Sequence, residues 1–178
     1  MRLFHVSETP NITVFKPRKP KRNDLVNETG LVWALSERSL VNFFTPRDCP
    51  RVTYHVAPHT HCADKKNHLS APDIEHVMVI EHAWVQKMQA VTLYVYEFDP
   101  KPFVLQDEQA GYYVSKETVQ PLACYVIQDV WHALASFNVE VRLVENLWPI
   151  CRTIQASSFY WSMCRMANAQ PACKNPDT

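Results

Sequence analysis

Only two glycines, Gly30 and Gly111, stand in a chain of 178 residues that carries thirteen prolines. Glycine supplies left-handed backbone, the tightest turns and the closest approach of main chain to a phosphate. Its scarcity therefore removes whole classes of site. Neither the G-x-G-x-x-G turn of Rossmann dinucleotide-binding units nor the phosphate-cradling P-loop can be written with these residues. A nucleotide, if one binds, must be held by another device. Each of the two glycines is expected where a side chain would not fit.

The remaining composition describes a folded chain. Hydrophobic residues make up 47% and charged residues 20%, enough apolar surface for a core and too little charge for extended disorder. The length suits one domain spanning residues 1–178, with 173–178 as a frayed tail, and there is no repeat or linker. Lys+Arg and Asp+Glu are both 18, so the formal net charge is zero. That argues against a dedicated nucleic-acid or membrane-surface protein, which usually carries a basic excess. The start of the chain reaches polar residues at once and no long apolar run follows, so a cytoplasmic protein without membrane association is expected. Six cysteines (Cys49, Cys62, Cys124, Cys151, Cys164 and Cys173) are scattered without a C-x-x-C pair. In such a protein they read as free thiols. The oligomeric state cannot be read from the sequence.

Periodicity predicts an α+β fold of short strands and peripheral helices. Leu3–Ser7 reads as a strand with His5 on the face opposite Phe4 and Val6. After a basic, Pro-rich stretch at 16–24, Gly30 opens an apolar run, Leu31–Leu35, and Ser36 is a plausible N-cap for a helix to about Phe44. Strands are expected at 51–56, 76–81, 91–98, 103–105, 112–115, 122–127 and 139–144. Further helices are expected at 83–89, at 130–137 behind Asp129 as N-cap, and at 145–156. The His-rich stretch 57–71 reads as a polar loop.

Five groups of residues could carry chemistry. His5 and Ser7 form a polar pair on an otherwise apolar strand, which can point into a cleft or sit half-exposed at an edge. Glu97, Asp99, Asp107 and Glu108 are acids that can stabilise positive charge or act as a base, and equally can be turn chemistry. His55, His59, His61, Cys62 and His68 offer metal-ligand types and would serve a metal-dependent hydrolase. Their spacing fits no zinc signature, a surface loop is the simpler reading, and no metal ligand set is assigned. Cys49 could be a nucleophile only with a depressed pKa and a histidine base. The basic stretch Lys16–Arg22 could meet phosphates, but zero net charge favours a solvated loop.

Taken together, LFHVSE, GLVWA, PRDCPRVTY, LYVYEFDP, GYYVS and Arg165–Ala169 resemble an uncharacterised bacterial family known as a domain of unknown function. The first two-thirds also resembles the ADP-ribosyltransferase superfamily, and in layout the small rifampin ADP-ribosyltransferases. His5-Val6-Ser7 stands where those proteins carry His-Gly-Thr or His-Gly-Ser. Val32–Ser36 occupies their second strand, Leu93–Phe98 with Phe103 and Asp107 resembles their Val-Tyr-x-Val-Glu-Pro strand, and Tyr112–Ser115 their next. Val6 stands where they have glycine, and Trp33 lies beside the position of their second-strand tyrosine.

The resemblance implies a split β-sheet core with peripheral helices that binds NAD without a glycine loop. It implies that His5, with Ser7, meets the ribose, and that Trp33 or Tyr113 stacks on nicotinamide. Asp107 or Glu97 would be the acid favouring an oxocarbenium-like transition state, as carboxylates do in glycoside cleavage. The expected activity is cleavage of the nicotinamide–ribose bond with transfer of ADP-ribose to an acceptor that the sequence does not name. The same scaffold could instead be a non-catalytic module holding a nucleotide or an RNA end.

Overall fold

The computed structural model of the chain describes residues 1–19 and 30–172. In chain order the elements are β1 (Leu3–Ser7), β2 (Val32–Ser36), α1 (Glu37–Leu40), β3 (Arg51–His55), α2 (Cys62–His68), β4 (His76–Glu81), α3 (Val85–Ala90), β5 (Leu93–Phe98), β6 (Val104–Asp107), β7 (Tyr112–Ser115), β8 (Ala123–Ile127), α4 (Val130–Ser136), β9 (Val139–Val144), α5 (Trp148–Gln155) and β10 (Tyr160–Cys164). The architecture is mixed α+β, with short strands in two sheets and few helices. Its contacts divide it into two compact units.

The first unit comprises Met1–Phe44 and Thr92–Gln128. It is a six-stranded sheet in the order β6-β7-β2-β1-β5-β8, antiparallel at every junction. Cross-strand partners share a face, so the register sorts its side chains. Leu3 faces Phe98, His5 faces Tyr96 and Ser7 faces Tyr94. Ala34 faces Tyr113 and Val32 faces Ser115 on the same side. A core forms on this side from Leu3, Val32, Ala34, Tyr96, Phe98, Phe103 and Val119. The segment after β1 closes over it. Phe15 sets its ring edge-on to His5, Tyr96 and Phe98, with centroids 5.1, 5.2 and 4.9 Å away. The Tyr96 hydroxyl tethers the segment, donating to the Thr9 carbonyl at 2.7 Å and accepting from the Ile12 amide at 3.1 Å.

Both glycines sit where composition placed them. A Cβ on Gly30 would lie 2.8 Å from the Arg18 amide nitrogen and 2.9 Å from the Pro17 carbonyl oxygen, where the backbones of Arg18 and Leu31 bridge. Gly111 has φ +67° and would drive a Cβ into the hydroxyls of Ser36 and Ser39.

The second unit comprises Thr45–Val91 and Asp129–Thr178. Its four-stranded sheet runs β10-β3-β4-β9, antiparallel except for the parallel β4–β9 pair. Val52, Tyr54, Val77 and Val79 lie on one face and pack with Leu147 just before α5, with Cys151 and Ile154 of α5, and with Phe159 after it. Asp129 caps α4, its side chain accepting from the His132 amide at 2.9 Å, and Pro149 sits in the first turn of α5, where a missing N–H is harmless.

Three expectations needed correction. The loop expected at 57–71 contains helix α2, because Ala63, Lys65 and Lys66 are good helix formers and no β-branched residue interrupts them. The helix expected from Ser36 to Phe44 is one turn of α1 followed by a 3₁₀ turn at Val41–Phe43, and the Ser36 hydroxyl makes no cap bond. Strand β10 was not foreseen at all. Part of the basic stretch (20–22), the tail 173–178 and Cys173 lie outside the described residues.

Candidate functional site

His5 is the best-placed polar side chain of the first sheet. The β1–β2 ladder registers only Leu3 with Ser36 and Phe4 with Leu35. Where it stops, the His5 Nδ1 lies 3.0 Å from the Trp33 carbonyl oxygen. A carbonyl only accepts, so Nδ1 donates. The imidazole thus replaces a ladder bond at the split between two strands. On its face lie Ser7, Tyr94 and Tyr113, all half-buried. The Ser7 hydroxyl accepts from the Thr9 amide at 3.0 Å and shapes the turn out of the strand.

The remaining sequence-derived candidates point elsewhere. Alternation puts Trp33 on the opposite face from His5, where it meets Tyr112 edge-on at 6.0 Å, and Phe43 approaches the same Tyr112 at 6.2 Å. Val32 and Ala34, not Trp33, share the histidine's side. Glu97 is on the opposite face too, paired across from Phe4. Its carboxylate is held by the Arg2 guanidinium in a two-point contact at 2.9 and 2.8 Å and accepts from the Tyr125 hydroxyl at 2.8 Å. Hydrogen bonds from Arg2 and then Tyr125 hold its pKa down at about 2, so it is a poor base and its charge is already neutralised. Asp107 is exposed, and its side chain accepts from the Ala110 amide at 2.9 Å. Asp99 does the same for the Lys101 amide at 3.0 Å. Both are turn formers. Of the six residues assigned to one NAD site, the sheet brings together His5, Ser7 and Tyr113, and does not bring Trp33, Glu97 and Asp107 to them.

In the second unit the histidines are spread out. His55 lies buried in β3, stacked on His76 at 5.2 Å, with Tyr160 edge-on to it and to His59. His61 precedes α2, and its amide donates to the Ser158 hydroxyl, which bonds Asp64. The carbonyl of His68 accepts from the Tyr54 hydroxyl and from Arg142. Among the described residues no group of three or more His, Cys, Asp or Glu could hold a metal ion. Cys49 is fully buried and burial pushes its thiol up to about 12, the reverse of what a nucleophile needs.

Sequence reading missed Tyr94 and Phe15. Tyr94 was hidden because period-two alternation tells which residues share a strand face, not which face meets His5; the register supplies that. Phe15 sits in irregular backbone and has no local signature. Two shallow clefts, of about 510 and 300 Å³, are lined by Ala83, Glu145, Asn146, Gln170 and Pro171, and by Pro102, Val104, Val114, Lys116 and Glu117; neither includes His5. No helix among the described residues is long and apolar enough to cross a membrane.

Fold and site together define a mixed α+β protein with a strand histidine at a break in a sheet. The chain belongs to the family of unknown function DUF6886, which matches residues 4–169. No curated protein and no solved structure matches it.

Proposed function

We propose that this protein is a nucleotide-binding module on an ADP-ribosyltransferase-like split sheet, with NAD as its first candidate ligand, and that it holds the ligand without cleaving it. The observation carrying this reading is the His5 imidazole where the β1–β2 ladder ends, oriented by the Trp33 carbonyl on the face that also carries Ser7, Tyr94 and Tyr113. Tyr113 and Tyr94, packed half-buried at the margin of the core on the same face, leave part of their rings exposed, and Ser7 adds a hydroxyl. A transferase would need a carboxylate facing the same ligand. Glu97 and Asp107 are engaged in an ion pair and a turn, and Glu97 projects from the other face. That difference favours binding over bond cleavage.

The test pairs thermal melting with measurement of released nicotinamide. Saturating NAD is expected to raise the melting temperature; a ligand at a hundred times its Kd adds about 2.7 kcal/mol. His5→Asn, whose amide N–H takes the place of Nδ1 towards the Trp33 carbonyl, should fold normally and lose most of the shift. Nicotinamide released at a rate that depends on His5 would replace this reading with the transferase. No shift with NAD or with free adenine nucleotides would end both.

A further inference from the structure

Sheet edges are normally defended, because unbonded backbone groups invite another strand. The two edges of the six-stranded sheet differ in this respect. At β6 the register shifts between Leu105 and Asp107, which breaks the line of the edge, and Asp107 adds a charge. At β8 there is no such device. Ala-Cys-Tyr-Val-Ile carries no charge, no proline and no glycine, and is regularly paired with β5 along its length. Its large apolar side chains are exposed on both faces, Tyr125 at 47% and Val126 at 54%, with Leu122 just before it at 68%. Among the described residues the outer side of β8 has no backbone partner.

We propose that β8 pairs antiparallel with β8 of a second copy, joining two six-stranded sheets across a two-fold axis. The strand is suited to itself. Tyr125 is the middle residue of Ala123–Ile127. A two-fold centred there sets Tyr125 opposite its own mate, Cys124 opposite Val126 and Ala123 opposite Ile127, so only apolar, thiol and aromatic groups meet. The nearest carboxylate on the neighbouring strand, Glu97, is already matched by Arg2, so two copies bring no bare like charges together. Whole-chain charge is zero and adds no repulsion. An isologous contact of this kind closes as a dimer and leaves no further β8 edge exposed. One short strand pair buries less than the roughly 800 Å² per partner of a standard interface, which fits a weak, concentration-dependent dimer.

Sedimentation of the full chain between about 10 µM and about 1 mM, the range in which weak contacts titrate, tests this. The expected result is a monomer that becomes a dimer as concentration rises. Val126→Lys should remove the dimer, Leu122→Lys should weaken it, and Val104→Lys on the opposite edge should leave it unchanged, all three keeping the wild-type circular dichroism. A chain that stays monomeric throughout, a dimer that survives Val126→Lys, or one lost equally with Val104→Lys would overturn the proposal.

Discussion

Replacing Gly111 by alanine challenges the fold at a left-handed turn. The residue sits at φ +67°, and a non-glycine residue in left-handed backbone costs about 1–2 kcal/mol. The added methyl would also run into the hydroxyls of Ser36 and Ser39 and lie 3.0 Å from the Ser39 Cβ. Both hydroxyls would have to turn away. Their mutual hydrogen bond, 3.3 Å long, would be lost at about 0.5–1.5 kcal/mol. Ser39 is fully buried, so crowding its Cβ adds an overpacking cost of about 1–3 kcal/mol. The sum is about 2.5–6.5 kcal/mol, or a fall in Tm of at least about 5 °C for a chain of this length. Urea unfolding of wild type and Gly111→Ala measures the difference directly. Repeating the substitution in a Ser36→Ala/Ser39→Ala background separates the causes: without the hydroxyls the cost should drop by about 0.5–1.5 kcal/mol, leaving the backbone cost and the crowding of the Cβ at position 39. A change below about 1 kcal/mol in the wild-type background would refute both the φ and the clash.

Glu97 provides a pH-dependent counterpart. Its carboxyl titrates at about 2 in the fold and at 4.5 in its ordinary state. A folded pKa below the unfolded one contributes stability that is complete above 4.5 and is lost as pH falls towards 2. Melting curves of wild type and Glu97→Gln should therefore differ at neutral pH and converge over that interval; a constant gap down to pH 2 would contradict the Arg2 ion pair. Thiol chemistry tests the interior. Cys62 and Cys124 are exposed, whereas Cys49 and Cys151 are buried and both have their pKa raised by burial. Labelling with a disulfide reagent, followed by peptide mapping, should mark the exposed pair in the native protein and reach Cys49 and Cys151 only on unfolding. Early labelling of Cys49 would mean that β3 and its flanking turn are open in solution.

Strands that alternate, or that concentrate β-branched and aromatic residues, were legible within a residue or two: Leu3–Ser7, His76–Glu81, Tyr112–Ser115 and Val139–Val144 stand where the sequence put them. Caps with strong local chemistry, such as Asp129, were equally readable. Helix α2 was not, since histidines, lysines and an asparagine carry no apolar stripe and no core residue of α2 is buried. Strand β10 mixes a serine, a methionine and a cysteine with two aromatics, so its place in the sheet comes from pairing with β3 and not from its own pattern. The candidate site divides the same way. That His5 and Ser7 share a face followed from spacing of two. That Trp33 does not join them depends on the pairing of β2 with β7 and β1, a long-range register that no local window contains. The acids looked catalytic by type, but their hydrogen-bond partners, Arg2 and Tyr125 for Glu97 and the Ala110 amide for Asp107, decide their use.

Because His5 and Trp33 lie on opposite faces of one sheet, a ligand can be located by which of them it touches. NAD titrated into protein labelled with ¹⁵N, with the ring signals of His5 and the indole N–H of Trp33 followed together, tests the central claim most directly. The account predicts that the His5 signals move and saturate while the Trp33 indole stays within the range of distant residues, with no nicotinamide appearing in the sample. Movement of Trp33 with His5 unchanged, or no movement of either at saturating nucleotide, would contradict it.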